Sequence, residues 1–174
     1  MEKLKQYIRS VPDFPKPGIN FYDITTLLQD PSGFKMALDA MERYARSRIP
    51  SSIVAIESRG FVFGAALADR LSVGLAITRK SGKLPYRTES ILYDLEYGTD
   101  SLEIHADAVT PGDRVLLVDD LIATGGTLWA AAKLVERLGG EVVGISAVIA
   151  LDFLPYENRL AEYDVNYLVS YQSE

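Results

Sequence analysis

Val115-Leu116-Leu117-Val118-Asp119-Asp120-Leu121-Ile122-Ala123-Thr124-Gly125-Gly126-Thr127 carries more of this chain's character than any other stretch. Four consecutive apolar residues, 115–118, read as a strand buried on both faces, the pattern of a parallel sheet. The strand runs into two adjacent carboxylates and then a turn of Gly and Thr. Beyond the turn, apolar positions over residues 128–138 recur at helical spacing. Strand, acid pair, glycine turn and helix make a ligand-binding layout, because open α/β sheets place ligands beyond the carboxyl ends of their strands.

The chemistry of the segment narrows the ligand. Residues 123–127 (Ala123, Thr124, Gly125, Gly126, Thr127) offer backbone N–H groups at a helix N-terminus and two hydroxyls, with glycines that permit close approach and positive φ. Together they form a cradle for one phosphate. Asp119 and Asp120 repel phosphate but accept hydrogen bonds from ribose hydroxyls, and they suit Mg²⁺ held through water. The site reads as one for a sugar carrying a phosphate. Neither Gly-x-x-x-x-Gly-Lys-Ser/Thr nor Gly-x-Gly-x-x-Gly after a strand occurs in the chain. The plainer alternative has the acids capping a helix and facing solvent. It is disfavoured because neighbouring carboxylates at the end of a fully apolar strand are costly to bury without a partner.

Composition bounds the rest. A chain of 174 residues with 48% apolar and 24% charged residues is an ordinary globular protein, expected to form one domain over residues 1–174 with a sizeable core. No apolar run approaches the roughly 18 residues of a membrane span, and no apolar segment of a signal peptide follows the N-terminus. The absence of cysteine excludes disulfides and thiol catalysis and fits a cytoplasmic protein. The single histidine, His105, rules out histidine-rich metal sites; its neighbours Glu103 and Ile104 make it a strand residue rather than part of a Ser-His-Asp arrangement. A net charge of −6 argues against nucleic-acid binding. Against that background, Arg79, Lys80, Lys83 and Arg87 place four positive charges and no acids within residues 79–87. A basic island in an acidic protein fits a compact polyanionic ligand.

Along the chain, strands and helices alternate, which predicts a parallel sheet. A short helix is expected over residues 2–10, and the prolines hold 11–18 extended. Residues 34–46 read as an amphipathic helix preceded by a turn at 30–33. Strand 53–56, helix 61–71, strand 73–78 and a polar loop 79–88 follow. Residues 93–97 and 102–105 look like a strand pair joined through Gly98-Thr99-Asp100 and projecting from the sheet. The signature strand and helix come next, then strand 141–149, a short helix near 155–160 and strand 165–170.

Three further segments face the same crevice. The loop Arg79-Lys80-Ser81-Gly82-Lys83-Leu84-Pro85 leaves the carboxyl end of a core strand, which puts its cations over the phosphate cradle as a lid, although charged loops are usually just solvated surface. Glu57-Ser58-Arg59-Gly60-Phe61 also follows a core strand; Ser58 suits a helix cap, and Arg59 suits a phosphate or base edge, or else a salt bridge with Glu57. Phe21 suits stacking on a base, or serves with Phe14 as a core anchor. Glu96, set among apolar and aromatic residues, has a proton affinity that enclosure would tune, or is an ordinary strand carboxylate.

The thirteen residues 115–127 resemble the phosphoribosyl-pyrophosphate signature of the type I phosphoribosyltransferases. Phe14-Pro15-Lys16-Pro17-Gly18-Ile19, Ser58-Arg59-Gly60-Phe61, Arg79 to Pro85, Leu95-Glu96-Tyr97-Gly98 and Val118 to Thr127 are similar, in order and spacing, to the adenine-using members of that family. The resemblance spans about residues 8–138. It implies an α/β fold with a parallel-sheet core flanked by helices, a flexible lid hairpin and a small N-terminal hood. It also implies a purine salvage reaction in which adenine and 5-phosphoribosyl 1-diphosphate give AMP and diphosphate. Glu96 would be the catalytic acid/base, Arg59 would lie near base or phosphate, and Asn20 with Phe21 would recognise adenine. Arg79, Lys80 and Lys83 would meet the diphosphate. Mg²⁺ is the implied cofactor, held by substrate and water near Asp119 and Asp120 with no direct protein ligand. A homodimer with Arg59 near its interface is expected, with no nucleic acid or membrane as partner. Tyr22 departs from the Arg or Lys that many members carry, and Tyr86 departs just past the lid core. The rival readings are the same reaction on another base and a nucleotide-sensing regulator on this fold.

Overall fold

A computed structural model describes residues 1–95 and 98–173. Its backbone is a mixed sheet built around β3 (Ser52–Ile56), β4 (Gly74–Lys80), β7 (Arg114–Val118), β9 (Glu141–Leu151) and β10 (Val165–Tyr171), all parallel to one another. The hairpin strands β5 (Thr88–Leu95) and β6 (Gly98–His105) extend it antiparallel, giving the order β10-β9-β7-β3-β4-β6-β5. A two-residue strand, β8 (Leu121–Ile122), adds a parallel pairing to β9 just past the acid pair.

Burial on both faces explains the apolar runs. In β7, Val115 and Leu117 face a core shared with α4 (Gly126–Arg137), whereas Leu116 and Val118 face the opposite core. That second core is covered by α2 (Pro31–Arg48) and α3 (Gly60–Leu71). These four apolar side chains of β7 are fully buried, each worth roughly 1.5–3 kcal/mol relative to exposure. No helix among the described residues is long and apolar enough to cross a membrane.

Several expectations are corrected. The helix expected at 2–10 is a 3-10 turn, Glu2–Tyr7, after which β1 (Arg9–Val11) pairs antiparallel with β2 (Phe21–Asp23). That two-stranded sheet, with the short helix α1 (Thr25–Gln29) behind it, is the N-terminal appendage to the core. The expected turn at 30–33 is instead the start of α2. Asp30 accepts from the N–H groups of Ser32 and Gly33 at 2.9 and 2.8 Å, and Pro31 occupies the first turn, where its missing N–H costs nothing.

The strand expected at 73–78 runs on through Arg79 and Lys80, because β6 offers them backbone partners at Glu103 and Leu102. Residues 98–100 are strand rather than turn, paired with 93–95. The hairpin therefore joins the sheet at its base and projects only at its tip, where Leu92 to Leu95 pair with β6 beyond the end of β4.

Tyr22, the departure noted in the sequence, is buried. It stacks on Tyr171 with centroids 3.6 Å apart and donates its hydroxyl to the Ser173 carbonyl at 3.2 Å. Its aromatic ring thus ties the N-terminal sheet to the last strand.

Candidate active site

The chain leaves β3 through α3 to reach β4 on one side, and leaves β7 through α4 to reach β9 on the other. The carboxyl ends of adjacent β3 and β7 therefore flank a crevice at the point where the winding reverses, the ligand position of open α/β sheets. Asp119 and Asp120 follow β7 directly into it, 8% and 5% exposed.

Backbone bonds hold the pair there. The Asp119 N–H donates to the Ser146 carbonyl, and the Asp120 carbonyl accepts from Val148 and Ile149 of β9. The Asp119 carboxylate accepts from the Asp120 N–H at 2.8 Å. Arg59, at the start of α3, donates through Nε to Asp120 at 2.5 Å. Burial, followed by the charge of Asp120, pushes the Asp119 carboxyl well above the usual carboxylate range. Gly60 is required beside it, since a Cβ there would lie 2.9 Å from Asp119 Oδ1 and from the Val118 carbonyl.

The turn beyond is a ready cradle. Gly125 adopts φ 77° and precedes α4, whose first turn has no side-chain cap, so its N–H groups remain available to an anion. A cavity of about 150 Å³ lies over it, lined by Asp119 and residues 121–128. Leu160 and Tyr156, whose atoms would stand 3.1 and 3.2 Å from a Cβ on Gly125, close the turn from behind.

The structure brings Arg59 and Phe21 together. The guanidinium lies 5.4 Å from the Phe21 ring centroid, within cation–π range, so one arginine joins the acid pair to the N-terminal sheet. Phe21 meets Phe14 edge-on at 5.2 Å, and Phe14 is half exposed; neither belongs to the two cores, so the core-anchor alternative fails. The Asn20 side chain is turned toward Ser10, whose hydroxyl donates to it at 2.6 Å. Ser58 does not cap α3 with its side chain; its carbonyl accepts from Phe61.

Three of the four cations of the basic group are paired internally. Glu57 accepts from Lys83 Nζ at 2.5 Å, from Arg79 at 3.1 Å and from the Lys80 N–H at 2.9 Å. Burial opposes its ionisation, but these three bonds outweigh it and hold the Glu57 carboxyl at about 2. The Lys80 ammonium pairs with Asp100 at 3.0 Å. The alternative of a salt bridge between Glu57 and Arg59 fails: Arg59 pairs with Asp120, and Glu57 with Arg79 and Lys83. Glu96 lies outside the described residues. His105 closes β6 with its ring edge-on to Tyr86, and its Nε2 has no hydrogen-bond partner.

Residue spacing missed Glu57 as the counter-ion of Arg79 and Lys83, Gly60 as a neighbour of Asp119, and Tyr93, which accepts from Thr127 at 3.3 Å. The pairing of β3 with β4 and β7 brings the first two together, and the packing of β5 against α4 the third.

An uncapped, glycine-led helix N-terminus beside a buried acid pair at this switch point is the arrangement implied by the resemblance to the phosphoribosyltransferases. The model of the phosphoribosyl transferase domain family matches residues 24–170. Similarity to individual proteins is more specific. The chain is 53% identical over 170 residues to the adenine phosphoribosyltransferase of Acidobacterium capsulatum, covering 98% of this chain and 94% of that one. The crystal structure of adenine phosphoribosyltransferase from Thermoanaerobacter pseudethanolicus superposes with a TM-score of 0.94 at 51% identity, covering 98% and 99% of the two chains. The Saccharomyces cerevisiae enzyme, solved with adenine and an iminoaltritol bisphosphate, superposes with a TM-score of 0.92 at 38% identity, covering 97% of each chain. This chain belongs to the adenine phosphoribosyltransferase family.

Proposed function

We propose that the crevice between β3 and β7 carries out the family's purine salvage reaction, in which adenine and 5-phosphoribosyl 1-diphosphate give AMP and diphosphate. The observation that carries the reading is the juxtaposition of a buried acid pair with an uncapped, glycine-led helix N-terminus. The N–H groups of residues 123–127 and the Thr124 and Thr127 hydroxyls hold the 5′-phosphate. Asp119 and Asp120 accept from the ribose hydroxyls. Arg79, Lys80 and Lys83 exchange Glu57 and Asp100 for the departing diphosphate, stabilising the negative charge that builds on it. The half-buried Phe21 offers a face to adenine, with the Asn20 backbone beside it, and Arg59 links that face to Asp120. Glu96 serves as the acid/base toward the purine. Fixing the sugar at both ends turns attack at its anomeric carbon into a problem of position.

Magnesium fits this site as a substrate-borne ion. No group of three or more acidic, histidine or cysteine side chains suited to a metal exists among the described residues. Asp119 and Asp120 would hold the ion through water, and Mg²⁺ bound to the diphosphate oxygens supplies charge neutralisation. Val62, three residues from Arg59 in the chain, is an exposed apolar side chain on α3, which supports a homodimer there. The cysteine-free composition suits the cytoplasm.

Incubation with the sugar donor, Mg²⁺ and adenine, hypoxanthine, guanine, xanthine or orotate in turn tests the reaction. AMP from adenine alone is expected. A different mononucleotide would reassign the base, and no product from any base would overturn the reading.

A further inference from the structure

Glu57 divides its two oxygens between two kinds of donor. Oε1 accepts from the side-chain ends of Lys83, at 2.5 Å, and Arg79, at 3.1 Å, whereas Oε2 accepts from the Lys80 backbone N–H at 2.9 Å. The Glu57 main chain is fixed as well, its N–H donating to the Thr78 carbonyl of β4 at 3.1 Å. Its side chain is 11% exposed, against 45% for Lys83 and 32% for Arg79. The anion is thus anchored to strand backbone, while the cations reach it on long stems. Although burial opposes its ionisation, the three bonds hold its carboxyl at about 2, so it stays an anion at neutral pH.

A second carboxylate holds the same loop by neutral donors. Glu103 on β6 accepts from the Ser81 hydroxyl at 2.7 Å and from the Gly82 N–H at 3.1 Å. When Lys83 and Arg79 leave Oε1, the loop therefore stays tied at Ser81 and Gly82, and Glu57 stays tied at Oε2. An anion arriving at the two cations needs to break only the pairs at Oε1. The pairing is also incomplete, since Arg79 Nε is buried without a hydrogen-bond partner among the described residues.

We propose that Glu57 is a positioning residue for product release: anchored through Oε2, it takes Lys83 and Arg79 back as diphosphate leaves. A carboxylate that satisfies the cations in the empty site subtracts from the net affinity of any anion that displaces it. Diphosphate is then held less tightly than the cations alone would hold it. This role rests on the phosphoribosyl reading of the site and adds to it a group that touches no substrate.

Calorimetric titration of the full chain with diphosphate and with ribose 5-phosphate, each with Mg²⁺, tests the role together with the dissociation rate of labelled diphosphate. In Glu57→Gln, which keeps an acceptor for the Lys80 N–H, diphosphate should bind about five- to tenfold more tightly and leave correspondingly more slowly. Ribose 5-phosphate should stay within about twofold of wild type. In Glu103→Gln, which removes a charge beside the same loop, diphosphate should also stay within about twofold. Glu57→Asp keeps the charge but draws the oxygens back by one methylene. It should tighten diphosphate as well, and it replaces the glutamine variant if that one fails to fold. In a Lys83→Ala background Glu57→Gln should gain less, since both substitutions alter one pair. Unchanged or weaker diphosphate binding in Glu57→Gln would make Glu57 a brace for the loop and overturn the proposal. Equal tightening in Glu103→Gln, or a full gain without Lys83, would reduce the effect to charge at a distance and overturn it too. Wild-type protein that binds neither ligand would overturn the phosphoribosyl reading itself.

Discussion

The two ends of the crevice are built by opposite means. At the β7 end, the acid pair and the cradle are fixed by backbone: buried strand, β9 hydrogen bonds, a left-handed Gly125 and an uncapped helix. At the β4 end, the cations are side chains already paired with Glu57 and Asp100. The first end presents fixed backbone N–H groups, while at the second the cations are paired with internal anions, which on the proposed reading the diphosphate displaces. Preorganised dipoles need no rearrangement when charge arrives. A displaced ion pair gives back part of what the new contact gains, so substitutions at the β7 end should cost more than those at the β4 end.

The largest effect is expected for Asp119→Asn combined with Asp120→Asn. Turnover should fall about a thousandfold in a protein that still melts cooperatively, and near-normal rates would remove the ribose assignment. Glu96→Gln should lower the single-turnover rate about a hundredfold while leaving adenine affinity intact; unchanged chemistry would make Glu96 a bystander. Lys83→Ala should lower kcat/KM for the sugar donor about tenfold, less than a free cation would because Glu57 is released as well. An effect equal to that of the acid pair would break the contrast between the two ends.

Two stability measurements sharpen it. Asp119 has its pKa raised by burial, so its ionised form weakens the ligand-free fold once pH exceeds the unfolded carboxylate value. Asp119→Asn should therefore raise Tm at neutral pH by roughly 2–4 °C while lowering turnover. A lowered Tm would mean the carboxylate is compensated by groups other than Arg59. Glu57 shifts the other way. Its pKa is depressed to about 2, so its stabilisation is present above the unfolded value and is lost as pH falls toward 2. Glu57→Gln should flatten the acid side of the Tm profile, and an unchanged profile would show the cluster to be mere surface pairing.

The β7 end was legible in the sequence because its determinants are local. Four apolar residues, two acids and a Gly-Gly turn stand in consecutive order, and the strand, glycine turn and helix appear within one or two residues of where the pattern puts them. The β4 end was legible only as a list of cations. Which anion each cation meets depends on strand register over tens of residues, and the one partner that chain proximity offered for Glu57, Arg59, pairs with Asp120 instead. The hairpin turn was misplaced because Gly98-Thr99-Asp100 has turn chemistry, whereas pairing with 93–95 holds it as strand. Asp30-Pro31 was read as a turn for the same reason, since a capped helix start uses the same residues.

The central claim is that residues 123–127 and the acid pair hold a ribose phosphate, and a crystal structure with AMP tests it most directly. The account predicts the 5′-phosphate on the N–H groups of that turn and the ribose hydroxyls on Asp119 and Asp120. A nucleotide bound elsewhere, with Arg59 still seated on Asp120 and the cradle untouched, would contradict it.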